Sequence, residues 1–227
     1  MFTGFSEESL RFLGDILKNN NKGWFEKNRE RYEQHLLEPL RALVGDLGDM
    51  MSDIDPAFET RPAINKTISR IYRDTRFCKD KSPYRGCMWI VFKRPCKDWS
   101  TTECGYFFEL MPTGYRYGMG FYQAAPRLMR EIRGLIDEDP AGFTELIAPL
   151  ARQRTFELVG DLYKKSFDED KPPAVRAWYD RKNICLIANR EIDKTLFSRK
   201  LVNRLTDGFA MLAPHYQFLR RAIDRVK

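Results

Sequence analysis

The sequence predicts an α+β protein in which an antiparallel sheet carries N-terminal and C-terminal helices packed on it. Three observations predict this. Apolar residues recur at helical spacing early in the chain and again after Ser198. The middle of the chain changes to short runs rich in aromatic and β-branched residues, as strands require. Two of those runs, YFFELMP and YRYGMGFY, are separated only by Thr113 and Gly114, the signature of an antiparallel hairpin.

The 227 residues are read as a single domain spanning 1–227, long enough to bury one substantial core. A helical part covers about 1–56, the basic motif and sheet about 61–192, and C-terminal helices about 198–226. Ser6 is placed to cap a first helix carrying Leu10, Leu13 and Leu17, which ends in Asn19, Asn20 and Asn21. Trp24, Asn28 and Tyr32 then share one face of a second helix, which Pro39 breaks or restarts, and residues 52–66 read as an irregular connection.

CMWIVFKR is the first expected strand, followed by the hairpin. In YRYGMGFY, Gly118 and Gly120 share one face, where they permit a bulge or close packing. Tyr115, Tyr117, Met119 and Phe121 line the other face as core. The spacing GxGxxQ lacks a third glycine and lies among antiparallel strands, which argues against a dinucleotide site. Pro126 opens one helix and Asp139-Pro140 another. FELVGDLY (156–163) and NICLIANREI (183–192) are expected strands around a short helix near Ala174–Asp180. The last helix keeps its period from Leu201 to Val226 through Pro214, which predicts a kink or a break between two stacked helices.

Composition limits the function classes. Hydrophobic residues at 43% and charged residues at 31% are those of a globular protein, and no apolar run reaches the roughly 18 residues that span a bilayer. The start MFTGFSEESLRFLGDIL has neither the basic beginning nor the apolar stretch of a signal peptide, so a cytoplasmic location is expected. Five cysteines (Cys78, Cys87, Cys96, Cys104, Cys185) are expected to be reduced thiols. They contain no CxxC, and with only His35 and His215 there is no zinc pattern, so neither a metal nor a cofactor is expected.

The net charge of +7 is unevenly spread. Between Lys66 and Lys97 lie ten cationic residues against Asp74 and Asp80; subtracting them from the totals of 39 and 32 leaves 29 basic and 30 acidic residues elsewhere. The excess therefore sits in one stretch, whose focus is RIYRDTRFCKDKSPYR, residues 70–85. Arg70, Arg73, Arg76, Lys79, Lys81 and Arg85 supply donors suited to phosphate or carboxylate, and Tyr72 or Tyr84 offers a stacking face. A phosphorylated small molecule or a polyanion, nucleic acid included, is the partner this pattern suits, and no membrane partner is expected.

Two other readings stand beside anion binding. In an enzyme acting on a phosphorylated substrate, Asp74 or Asp80 is the candidate acid or base, though no complete catalytic motif accompanies them. In a structural or protein-interaction domain the motif is an internal clasp. If the segment is helical, Arg70 with Asp74 and Arg76 with Asp80 are i,i+4 pairs, and Ser82-Pro83-Tyr84-Arg85 is expected to form a tight turn.

With WFEKNRERYE, RDTRF, KDKSPY and the terminal LAPHYQFLRRAI in view, the chain resembles the bacterial and fungal family known as domain of unknown function 2461, over nearly its whole length. Arg73 to Phe77 and Lys79 to Tyr84 carry the most specific part of the resemblance. Cys78 stands where the family pattern has serine. The resemblance implies one conserved-type domain with a focal motif, and no reaction.

Overall fold

The computed structural model describes residues 1–226. Helix α1 (Glu7–Lys18) begins where the sequence marks it: Ser6 Oγ accepts from the Ser9 amide while Ser9 Oγ accepts from the Ser6 amide, which satisfies two end donors reciprocally. Asn19 ends this helix, and Asn21 caps α2 (Lys22–Lys27) by accepting from the Trp24 amide. The expected single helix through Trp24, Asn28 and Tyr32 is instead divided at Asn28, where φ −115° and ψ 14° leave the helical region. Asn28 Nδ2 donates to the Trp24 carbonyl, a side-chain bond that competes with the helical ladder. After α3 (Arg29–Tyr32) the chain passes through a π-helical turn, Glu33–Leu37, into α4 (Glu38–Ile54). Pro39 lies in the first turn of α4, but Leu37 and Glu38 before it keep right-handed helical dihedrals, so the chain does not break there: the wider π-helical turn leads into the proline and α4 runs on to Ile54.

The sheet comprises β1 (Met88–Phe92), β2 (Cys104–Met111), β3 (Gly114–Phe121), β4 (Glu157–Val159) and β5 (Cys185–Arg190), in the order β1-β2-β3-β5-β4, and is antiparallel. A short helix, α5 (Trp99–Thr102), precedes β2. The hairpin β2–β3 is the one the sequence predicts. Gly118 and Gly120 allow the backbone of β5 to approach: a Cβ on Gly120 would lie 2.5 Å from the Cys185 Cα, and one on Gly118 would collide with the Leu186 carbonyl. These glycines thus face a strand, not a phosphate. Tyr115, Tyr117, Met119 and Phe121 are buried.

The strand expected over 156–163 is shorter. Gly160 adopts φ 135°, which ends β4 and leaves Leu162 in an isolated bridge with Arg181. Helices α6 (Pro126–Glu138) and α7 (Pro140–Arg152) start at their prolines, with Asp139 accepting from the Gly142 amide to cap the second; α8 (Pro173–Tyr179) lies between β4 and β5. The final helix, α9 (Lys200–Val226), is one helix and not two. Leu205, Phe209 and Leu212 before Pro214, and Tyr216, Leu219 and Ile223 after it, are all buried. A continuous apolar stripe offsets the roughly 3 kcal/mol that an interior proline costs.

Contacts divide the chain into two compact units. Unit 1 holds Met1–Phe92, Phe107–Tyr117 and Asn189–Asp207; unit 2 holds Lys93–Tyr106, Gly118–Ala188 and Gly208–Lys227. In unit 1, α1 packs on α3 and the π-helical turn, and α4 packs on β1. Its core includes Phe2, Phe5, Phe12, Leu43 and Phe108. In unit 2, α6, α7 and α8 pack together over Phe143 and Trp178. No helix among the described residues is long and apolar enough to cross a membrane, and all five cysteines are free thiols.

Candidate functional site

The basic motif lies in unit 1, and it is not helical. The Arg73 amide donates to the Pro83 carbonyl and the Arg85 amide to the Ile71 carbonyl, both at 2.8 Å, with Tyr72 facing Tyr84 in an antiparallel bridge. These bonds form a narrow neck from which Asp74 to Ser82 project as a loop. The expected turn at Ser82–Arg85 is therefore absent: that stretch is the extended returning arm of the neck. The i,i+4 pairings also fail, because a spacing of four is one turn only in a helix.

Aromatic packing holds the neck. The Tyr84 ring, 2% exposed, stacks on Phe25 at 4.5 Å and meets Tyr72 at 5.1 Å. Asn20 fastens its backbone, accepting from the Tyr84 amide (2.9 Å) and donating to the Tyr84 carbonyl (3.0 Å). Tyr84, expected among the ligand contacts, is thus the anchor of the loop, and the exposed aromatic faces belong to Tyr72 and to Phe77, which is 93% exposed.

Inside the loop both carboxylates are engaged. Asp74 accepts from the Arg76 amide (3.2 Å), Nε (3.0 Å) and Nη2 (2.7 Å), and these bonds, the guanidinium first, pull its pKa down to about 2. Asp80 accepts from Ser82 Oγ (2.6 Å), the Ser82 amide (2.9 Å) and Arg73 Nη1. Ser82 and then Arg73 hold its carboxyl well below the usual range. Both are ionised at neutral pH and are poor proton acceptors.

The cations divide into two groups. Arg73 and Arg76 are paired with Asp80 and Asp74. Lys81 Nζ donates to the Thr75 carbonyl (2.8 Å), and Arg85 Nε to the Tyr72 carbonyl (3.2 Å), with the Arg85 guanidinium 4.7 Å over the Trp89 ring. Those partners are neutral and leave the charge uncompensated. Arg70 and Lys79 are exposed, and no carboxylate lies within ion-pair distance of either among the described residues. Arg70, Lys79, Lys81 and Arg85 are thus the net charge of the motif.

Other candidates close on themselves. Trp24 packs on Phe12 at 5.6 Å with the Arg31 guanidinium over its ring, and Asn28 Oδ1 accepts from Arg31 Nη1 (2.8 Å), so both side chains are engaged by residues of their own unit. His35 sits in the π-helical turn of unit 1, and His215 is buried in unit 2. Unit 2 has an open groove of about 660 Å3 lined by Leu135, Phe143, Leu146, Pro214 and Phe218. No residue of the basic motif lines it. Among the described residues no three His, Cys, Asp or Glu side chains converge as metal ligands.

The sequence places Asn20 at a helix end and gives neither it nor Phe25 nor Trp89 a part in the basic motif. One signal was present: in the Asn19–Asn21 run the first residue ends one helix and the third caps the next, which leaves Asn20 for another task.

An α+β fold with a five-stranded antiparallel sheet and a necked basic loop defines the class of protein. The chain belongs to the family described as conserved hypothetical protein, DUF2461, whose model matches residues 8–218. Comparison with curated proteins finds no match.

Proposed function

We propose that this protein binds a phosphorylated or otherwise anionic ligand on the loop 74–82 and its neck. The observation that carries the reading is the uncompensated charge of Arg70, Lys79, Lys81 and Arg85 on a segment whose two carboxylates are already engaged by Arg73 and Arg76. Lys81 and Arg85 are held by internal bonds, so a phosphate that meets them costs less side-chain freedom than one bound by free-swinging cations such as Lys79. Arg73 and Arg76, each held by a carboxylate, keep guanidinium N–H groups beyond those given to Asp80 and Asp74, and these are further donors for an anion. Acid–base catalysis by Asp74 or Asp80 fits less well, since a base near its best has a pKa close to the working pH. Five free thiols suit a reducing compartment, in keeping with a cytoplasmic setting.

The test is a titration with inorganic tripolyphosphate followed by amide NMR shifts. Perturbations are expected at residues 70–85 and should be lost in the double variant Arg70→Ala/Lys79→Ala. Shifts confined to other segments, or none at low salt, would sink the reading.

A further inference from the structure

Resting on that reading, we infer that the anion is single-stranded nucleic acid, with Phe77 and Tyr72 stacking on bases while the cations track the phosphates. Phe77 is 93% exposed at the far end of the loop, and the Arg76 guanidinium covers one side of its ring at 5.7 Å from the centroid. Exposing a whole phenyl ring to water is unfavourable, and neither the core nor the loop's own hydrogen bonding requires it. Tyr72 is 45% exposed at the neck, one side of its ring supported by Tyr84 and Phe25. Two solvent-exposed aromatic rings, alternating in sequence with Arg70, Arg73, Arg76 and Lys79, form the combination by which proteins hold unpaired strands: cations for the backbone, rings for any base.

A duplex hides its base faces in its own stack, so Phe77 gains nothing there. A small phosphorylated metabolite uses the charge but leaves the phenyl ring idle. An anionic membrane uses both, but insertion of Phe77 carries the ion pair of its neighbour Arg76 with Asp74 toward the acyl region, and one phenyl ring buries too little to anchor a chain when a whole myristoyl group binds only marginally.

The experiment is fluorescence anisotropy of labelled oligothymidylate against wild type and Phe77→Ala, with inorganic polyphosphate, duplex DNA and phosphatidylserine vesicles as comparators. Phe77 touches no core residue in the wild type, and an unchanged melting curve for the variant confirms its fold. Oligothymidylate should bind more tightly than duplex, lose about tenfold or more in Phe77→Ala, and weaken with salt at a log-log slope of about −3 for four neutralised phosphates. Polyphosphate should bind wild type and Phe77→Ala alike. Equal binding of oligothymidylate and polyphosphate, both indifferent to Phe77, would overturn this inference and leave anion binding standing. Vesicle binding that depends on Phe77 without oligothymidylate binding would overturn it in favour of a membrane surface, and failure of every polyanion would remove both readings.

Discussion

Asn20 and Tyr84 lie 64 residues apart and exchange two hydrogen bonds, the Tyr84 amide donating to Asn20 Oδ1 and Asn20 Nδ2 donating to the Tyr84 carbonyl. One side chain at the α1–α2 junction thereby fixes the returning arm of the basic loop. It does so at the residue whose ring is also held by Phe25 and Tyr72. The loop's position thus depends on a residue that carries no charge and belongs to another part of the sequence.

Asn20→Ala should destabilise the protein by about 2 kcal/mol, the loss of two backbone partners at a part-buried site. Asn20→Asp keeps the acceptor for the Tyr84 amide but sets a carboxylate against the Tyr84 carbonyl, so it should not restore wild-type stability. Urea denaturation measures both. Affinity for tripolyphosphate should fall in Asn20→Ala although no cation is removed, and an unchanged affinity would separate loop placement from binding.

Arg73→Lys and Arg76→Lys address the clasp reading. The pairs that form are Arg73 with Asp80 and Arg76 with Asp74, both on the exposed loop, where Arg76 retains 76% of its side-chain exposure. Solvent screens such pairs. Melting temperatures are therefore expected within about 2 °C of wild type, while tripolyphosphate affinity falls as the planar fork is lost. A large drop in melting temperature in both variants would show that the pairs are structural.

The parts of the fold visible in the sequence are those fixed by local chemistry. Ser6 with Ser9, Asp139 with Gly142, and the β2–β3 hairpin, whose turn is Pro112–Thr113, one residue earlier than the sequence suggests, each act within a few residues of chain, so periodicity and caps reveal them. The parts that were not visible depend on partners distant in sequence. Nothing near Tyr84 indicates that Asn20 will hold its backbone in extended form, and so the motif read as turn and helix. Pro214 misled for the same reason: proline's local preference is to break a helix, but apolar burial along α9 outweighs it. The candidate residues were readable as a basic cluster, whereas which of them pair and which stay uncompensated depended on the loop's three-dimensional path.

In unit 2 the Arg220 guanidinium donates from Nη1 to Glu103 Oε2 at 2.7 Å, with the two side chains 5% and 0% exposed. Arg220 also donates from Nε and Nη2 to Asp224, a half-exposed carboxylate, so Glu103→Ala leaves the guanidinium one ionic partner and is expected to cost about 2–3 kcal/mol, the loss of a charged hydrogen bond at a buried site. For a chain of this length that is a fall of roughly 4–12 °C in melting temperature. Replacing both partners by apolar residues, Glu103→Leu with Arg220→Met, should recover most of the loss, because the desolvation cost of the pair disappears with it. Calorimetry of the three variants checks the order.

His215 supplies a pH dependence whose sign follows from its surroundings. Its ring, 3% exposed, stacks on Trp178 at 5.9 Å and 16°, and its nitrogens make no hydrogen bond of normal geometry, although the backbones of Leu146 and Met211 lie close enough to favour the charged form slightly. Burial lowers its pKa from the ordinary 6.5, since an imidazolium there would be desolvated. Above about pH 6.5 the ring is neutral in the folded and unfolded states alike, and it contributes no slope. As the pH falls below that value the unfolded chain takes up a proton that the folded protein excludes, so stability declines until the folded-state pKa is reached. In His215→Phe that part of the decline should vanish, while contributions from the carboxylates persist in both proteins. Melting temperatures measured from pH 7.5 down to 5 should therefore diverge, the variant losing less than wild type. Parallel profiles would mean that the buried ring accepts its proton without penalty.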